Sequence, residues 1–262
     1  MKVGFLQFAP KLFHERHNLE KINIMLKGCK ADVIVLPELA TSGYLFTNQK
    51  EMKPVSAPAK SGRIADFFRN ITAKENCAIV VGFLEKENDN FYNSQMLVFP
   101  NGRIEIYRKI HLFLDEKRLY QVGDTGFNVF EFRGAKLGLM ICFDWIFPES
   151  ARTLALRGAD IICHSANLVL PFCQKAMITR SLENRVFTIT ANRIGTEKNE
   201  TQEFTFTGIS QITSPKGDIL AQATEDEEIL KIVEINPTDA QNKFVTETNH
   251  VLNDRRREFY EI

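Results

Sequence analysis

The chain repeats its own order of elements, and that echo limits the fold more than any single motif. Lys2-Val3-Gly4-Phe5-Leu6 opens the first half, and Lys136-Leu137-Gly138-Leu139-Met140 opens the second. Ala31-Asp32-Val33-Ile34 is answered by Ala159-Asp160-Ile161-Ile162. A period of about 135 residues is too long for a solenoid. Within the first half the patterning predicts strands over 2–8, 32–37 and 77–84, helices over 17–30 and 61–75, and a hairpin of 94–99 with 103–107. The hairpin turns at Pro100-Asn101-Gly102, and Asn-Gly between apolar runs is a strong hairpin signal. The second half follows the same order. Strands are predicted over 136–141, 159–162 and 186–191, helices over 148–157 and 176–185, a hairpin of 208–213 with 218–223, and a last strand over 229–235. Pro148 opens its first helix and Gly158 stops it. Two such halves predict an α/β fold of two mixed β-sheets packed face to face with helices outside each. This is a four-layer αββα sandwich with pseudo-twofold halves. The expected organisation is a single domain over 1–262, with the polar stretch 236–262 as a C-terminal arm that contacts another subunit.

Composition narrows the class. With 262 residues, 44% hydrophobic and 25% charged, the chain is of ordinary globular make-up and long enough for a large core. Lys plus Arg equals Asp plus Glu at 33 each, so no nucleic acid or anionic membrane partner is indicated. Near-zero charge does not oppose self-association. The five cysteines form no CxxC pair, and no histidine stands at zinc-ligand spacing from them, so no metal or other cofactor is expected. Free thiols fit a reducing cytoplasm. Met1-Lys2-Val3-Gly4-Phe5 enters a strand pattern at once and does not read as a signal peptide. No apolar run approaches the ~18 residues of a membrane span.

Three strand ends carry the chemistry-bearing residues. Glu38 sits just past one strand, Lys109 follows the first hairpin, and Cys142 ends the run Leu139-Met140-Ile141 beside a helix start. Strand ends are where α/β folds gather their chemistry, and a thiol beside a helix N-terminus is placed as a nucleophile. Glu38 can take the thiol proton, Cys142 can attack an electron-poor carbon, and Lys109 can stabilise the oxyanion and hand a proton to the departing amine. Glu116 is a second carboxylate able to position Lys109. The backbone N–H of Phe143, next to the nucleophile, is a natural oxyanion donor.

These residues resemble the motifs of the nitrilase superfamily of carbon–nitrogen hydrolases: Leu36-Pro37-Glu38, Arg108-Lys109-Ile110-His111-Leu112, and Cys142-Phe143-Asp144-Trp145-Ile146-Phe147-Pro148-Glu149. Gly158-Ala159-Asp160 and Glu183-Asn184-Arg185 extend the likeness over nearly the whole chain. The resemblance implies the αββα sandwich, a Glu-Lys-Cys triad at Glu38, Lys109 and Cys142, and a further structural or catalytic glutamate at Glu116. It also implies dimerisation through helices that include 148–157.

Phe143-Asp144 after the nucleophile points to the amide and carbamoyl branches, since nitrilases usually carry Trp-Glu there. Branches that hold an N-carbamoyl amino acid tend to place Arg shortly after the Cys, where this chain has Trp145-Ile146. The expected pocket wall comprises Tyr44, Phe113, Trp145, Asn167 and Leu168, and a small neutral amide fits it. Small nitriles are the alternative substrate. A metabolite-binding or scaffold protein on the same fold is the non-enzymatic alternative, against which the intact triad argues. His111 is a rival base with no identifiable orienting partner, His164 reads as a packed residue, and Cys163 and Cys173 read as inert.

Overall fold

In the computed structural model, which describes residues 1–260, strands and helices alternate from the first residues onward. The first half contains β1 (Lys2–Gln7), α1 (Glu15–Leu26), β2 (Val33–Val35), the short α2 (Gln49–Met52), α3 (Gly62–Glu75), β3 (Ala78–Glu87), β4 (Asn90–Val98) and β5 (Ile104–Arg108). One turn of helix, α4 (Glu116–Leu119), leads to β6 (Val129–Phe132) and β7 (Ala135–Ile141). Then come α5 (Pro148–Leu156), β8 (Ile161–Ala166), α6 (Cys173–Asn184), β9 (Phe187–Asn192), β10 (Thr196–Lys198), β11 (Glu203–Thr205), β12 (Gln211–Thr213), β13 (Ile219–Gln222), β14 (Ile229–Glu234) and α7 (Thr238–Gln241). The last two residues of the 236–262 arm, 261 and 262, lie outside the described residues.

Twelve of the described strands form two six-stranded mixed sheets, ordered β14-β1-β2-β3-β4-β5 and β13-β12-β9-β8-β7-β6, and β10 and β11 pair separately. The halves correspond strand for strand. In each, three parallel strands (β1-β2-β3 and β7-β8-β9) continue into antiparallel ones. Each sheet is closed by one antiparallel edge strand, β14 against β1 and β6 against β7. The chain therefore ends its strand run in the sheet where it began.

Alternation explains the layers. In β2, Val33 and Val35 point into the shared core while Ile34 points out to the helices. In β3, Ala78 and Val80 point in and Ile79, Val81 and Phe83 point out. Strands buried on both faces read as continuous apolar runs, which is why they were legible. Ile22, Leu26, Ile64, Ala65 and Phe68 of α1 and α3 cover the outside of the first sheet. Across the interior β3 faces β8 and β4 faces β7.

Some elements depart from the sequence reading. α1 stops at Leu26 rather than Lys30, because Lys27 turns extended and Gly28 takes φ +74°. The sequence does not mark β6, because its turn, Arg133-Gly134, has two left-handed residues without the usual Asn-Gly chemistry. The β10–β11 hairpin has three residues per strand and a single apolar one, Phe204, too few to show an alternation.

Candidate active site

Two glycines seat the acid and the amine. After β2, Pro37 ends the strand and Glu38 leaves it; Leu39 follows with φ +47°. The loop lies directly on β3, where Gly82 N–H donates to Pro37 O at 3.1 Å and Ala40 N–H donates to Gly82 O at 2.8 Å. A Cβ at Gly82 would stand 2.4 Å from Glu38 Cα. Lys109, one residue past β5, is fixed by its N–H to Asn93 O at 2.8 Å and by Gly123 N–H to its own carbonyl at 2.9 Å. A Cβ at Gly123 would meet Arg108 O at 2.0 Å. Gly82→Ala should therefore shift Glu38 by a fraction of an ångström. We expect a ~10²-fold fall in kcat/KM with a stability loss of about 1–3 kcal/mol. Steady-state kinetics beside urea unfolding check this, and unchanged kinetics would refute the seat.

Cys142 follows β7 with φ +40°, a left-handed conformation that costs a residue with a Cβ about 1–3 kcal/mol. It begins a short 3-10 turn, Cys142–Ile146, whose first N–H groups have no partner within the turn.

Glu38, Lys109, Glu116 and Cys142 come together in the interior, exposed by 0%, 1%, 3% and 6% respectively. Lys109 Nζ donates to Glu38 Oε1 at 2.7 Å and to Glu116 Oε1 at 2.9 Å. Asn93 Nδ2 donates to Glu38 Oε1 at 2.7 Å and lies 3.4 Å from Glu116 Oε1. Glu116 Oε2 accepts from the N–H of Phe113 at 3.0 Å. Glu38 Oε2 is buried and has no hydrogen-bond partner among the described residues. Cys142 Sγ lies 3.8 Å from Asn167 O.

The charges shape one another. Burial works against the Lys109 ammonium, but the Glu116 and Glu38 carboxylates outweigh it and hold its pKa well above the usual lysine range. Burial raises the Glu116 pKa and Lys109 pulls against it. Burial pushes the Cys142 thiol well up, Glu38 adds to that, and Lys109 opposes both. The resting site thus combines a neutral thiol with an ammonium that donates to both Glu38 and Glu116.

A narrow cleft opens onto Glu116, with room for about 20 Å³, roughly one water. Tyr44, Leu45, Leu114, Tyr120 and Phe204 line it, and Gln202 Nε2 spans it to Asp115 Oδ2 at 2.9 Å. A larger groove of about 950 Å³ runs along α6, β12 and β13, away from the buried charges. Of the expected wall, Tyr44 lines the cleft, and Asn167 and Leu168 lie buried beside Cys142. Phe113 meets Phe143 with the rings tilted by 52° and 5.0 Å between their centres. Trp145 does not line the cleft. Its half-buried ring packs on the central core, and its carbonyl accepts from Arg180 Nε at 3.2 Å.

A family model described as carbon-nitrogen hydrolase matches residues 2–243. The chain belongs to the carbon-nitrogen hydrolase family. A protein of Pyrococcus abyssi named nitrilase is 42% identical to it over 99% of both chains. The 2-oxoglutaramate amidase of Bacillus subtilis is 31% identical over 98% of both. The crystal structure of a carbon-nitrogen hydrolase from Helicobacter pylori G27 superposes with a TM-score of 0.85 at 26% identity, covering 99% of this chain and 97% of that one. This protein is an enzyme of the nitrilase superfamily with the αββα fold of that family.

Several side chains that organise this carbon-nitrogen hydrolase were not singled out from sequence. Asn93 bridges both carboxylates. Asn93-Ser94-Gln95, three buried polar residues inside an apolar strand, was the available signal, since buried polar groups need partners. Asp144, the second residue after the nucleophile, is fully buried. It accepts from Ile141 N–H at 2.9 Å, the Tyr107 hydroxyl at 2.7 Å and the His111 ring Nδ1 at 2.7 Å. It thereby ties the Cys142 turn to the segment that carries Lys109. His111 is occupied as this strut. His164 lies under the nucleophile, and burial pushes its pKa down to about 4, so it is neutral. Its Nε2–H then donates to Cys142 O at 3.1 Å and its Nδ1 accepts from the Thr190 hydroxyl at 3.2 Å, a tautomer assigned from these partners. Among the described residues no His, Cys, Asp and Glu side chains are grouped to hold a metal ion.

Proposed function

We propose that this chain hydrolyses the carbon–nitrogen bond of small neutral amides through a thioester on Cys142. One observation carries this reading: Glu38 keeps Oε1 on Lys109 and Asn93 while Oε2 stays buried and unpartnered beside a neutral thiol. That oxygen is free to take the Cys142 proton as Sγ bonds to the carbonyl carbon. The oxyanion that forms meets the Lys109 ammonium and the Phe143 N–H, a donor type typically worth about 10²–10³ in rate. The carbon–nitrogen bond then breaks as the nitrogen gains a proton and leaves as ammonia or amine. The raised Lys109 pKa argues that Glu38 delivers this proton while Lys109 remains an ammonium, in place of the proton donation expected of Lys109 from sequence. Water, deprotonated by Glu38, attacks the thioester and releases the carboxylic acid and the thiol.

A neutral substrate is favoured because the buried cations Lys109 and Arg193 already carry carboxylate partners. Nitriles are the second reading, favoured by the name of the Pyrococcus abyssi relative. An ammonia-release screen of amides, N-carbamoyl compounds and nitriles, with intact mass of the Cys142 adduct, decides between them. Turnover of nitriles alone would overturn the amide reading.

We further propose a homodimer through the α5–α6 face, where Ile146, Leu156, Phe172 and Leu182 leave large apolar side chains exposed. Sedimentation should give twice the chain mass, and Phe172→Glu should lower it to one copy; a monomeric wild type would refute this. The five buried free thiols suit a reducing cytoplasm.

A further inference from the structure

Tyr44 belongs to the first sheet's loop, yet residues following β9 of the second sheet grip it. Glu197, exposed by 5%, accepts from the N–H groups of Tyr44 and Leu45 on one carboxylate oxygen, at 2.9 and 3.0 Å. Its other oxygen takes the guanidinium of Arg193. Arg193, exposed by 1%, also donates to Pro10 O at 2.9 Å and lies 4.0 Å from the centre of the Phe206 ring. Phe206 in turn meets the Tyr44 ring edge-on at 6.1 Å. The backbone and the ring of Tyr44 are thus held by one closed circuit of Glu197, Arg193 and Phe206. There is no slack in it: a Cβ at Gly43 would meet Glu197 Oε1 at 2.9 Å and Leu12 Cα at 2.5 Å.

A buried ion pair is a poor device for stability alone, because desolvation costs several kcal/mol per ion and apolar replacements often serve as well. What this pair adds is direction. Two N–H groups on one carboxylate oxygen set where the loop turns, and the loop carries a wall of a cleft barely wider than a water. A displacement of a fraction of an ångström there changes what can enter.

We propose that Glu197 is a positioning residue that sets Tyr44 and, through it, the range of acyl chain lengths that reaches Cys142. Neither Glu197 nor Arg193 touches the reacting atoms. The inference rests on the thioester reading of the same site. Glu197→Gln keeps an acceptor for the loop but turns an amide N–H toward the Arg193 guanidinium, donor against donor, and the grip loosens.

The test uses straight-chain primary amides from acetamide to hexanamide with wild type, Glu197→Gln, Tyr44→Ala and the double variant. In Glu197→Gln the spread of kcat/KM across chain lengths should shrink about 10-fold, chiefly through KM. Tyr44→Ala should flatten the spread as well, and the double variant should flatten it no further, since both changes act through one residue. A uniform fall in kcat with the spread unchanged would overturn the proposal, as would additive effects in the double variant. If Glu197→Gln does not fold, Arg193→Lys, which keeps the ion pair but loses the planar stack on Phe206, replaces it with the same expectation. A separate readout needs no turnover: the rate of Cys142 alkylation by iodoacetamide against 2-iodohexanamide, followed by mass. A wild type that hydrolyses no amide would sink the amide reading, while the alkylation ratio would still decide the role of Glu197. An unchanged ratio in the variants would count against it.

Discussion

Cys142→Ala is expected to abolish turnover of any substrate the wild type accepts, by at least about 10⁴-fold, with the fold intact. Among the described residues this thiol is the one whose sulfur shares the buried space of Glu38 and Lys109, and removing it leaves both ions with their partners. The stability of such variants carries a second, less obvious expectation. Cys142 sits at φ +40°, so alanine inherits the strain that its own Cβ causes. Glycine does not. Cys142→Gly should therefore be at least as stable as Cys142→Ala, by up to about 1 kcal/mol, reversing the usual order of the two residues. Urea unfolding of the two inactive variants measures this. A glycine variant less stable than the alanine one would mean the left-handed turn is not strained. Retained turnover in either would remove Cys142 from the mechanism. The strain is local to the site: Leu39 and Leu114, at φ +47° and +48°, sit beside Glu38 and near Glu116 in the same way. Backbone held in such conformations by surrounding contacts is how side chains at strand ends are aimed before substrate arrives.

The strand ends themselves were legible because the signals that mark them are local. Pro37 stops β2, the Asn101-Gly102 turn delivers β5 and then Lys109, and a run of apolar residues ends at Cys142. The echo between halves was legible for the same reason and is matched by two sheets of corresponding strand order. What could not be read is the pairing between distant parts. Asn93 stands 55 residues from Glu38, and Glu197 stands 153 from Tyr44, so no period or spacing links them. Both are polar residues in or beside strands, which sequence patterning assigns to solvent by default. Asp144 shows the same limit: its identity leans toward the amide branch, but nothing in the sequence links it to Ile141, Tyr107 and His111, the three partners that make it a brace between the nucleophile and amine segments. Completion of each sheet by β14 and β6 was equally invisible, because an edge strand's partner is set by topology rather than by its own pattern.

Lys109→Ala is expected to be among the most destabilising single changes in the site as well as an inactivating one. Two buried carboxylates would lose the cation between them, and breaking such a group by removing one partner costs about 3–5 kcal/mol. Acylation should fall about 10²–10³-fold or more with the oxyanion donor gone. The cost should depend on pH, and the sign follows from the directions of the shifts. In the wild type the Lys109 pKa is held above its usual value, so its stabilisation is present below about pH 10.4 and is lost only as pH rises through the higher folded value. In the variant, Glu116 loses the Lys109 charge that opposes burial and the neighbouring Glu38, so it holds a proton to higher pH than an unfolded glutamate would. A carboxyl with a raised folded pKa gives its stability below the unfolded value, about 4.3, and loses it as pH rises through the folded one. The gap between wild type and Lys109→Ala should therefore widen from pH 5 to pH 8 in urea unfolding, and a gap constant across that range would refute the account. Adding Glu116→Gln to a Lys109→Met variant removes one of the stranded charges. That pair should recover part of the lost stability and flatten the pH dependence while restoring no activity, which separates the cost of an unpaired carboxylate from the loss of the ammonium that the reaction needs.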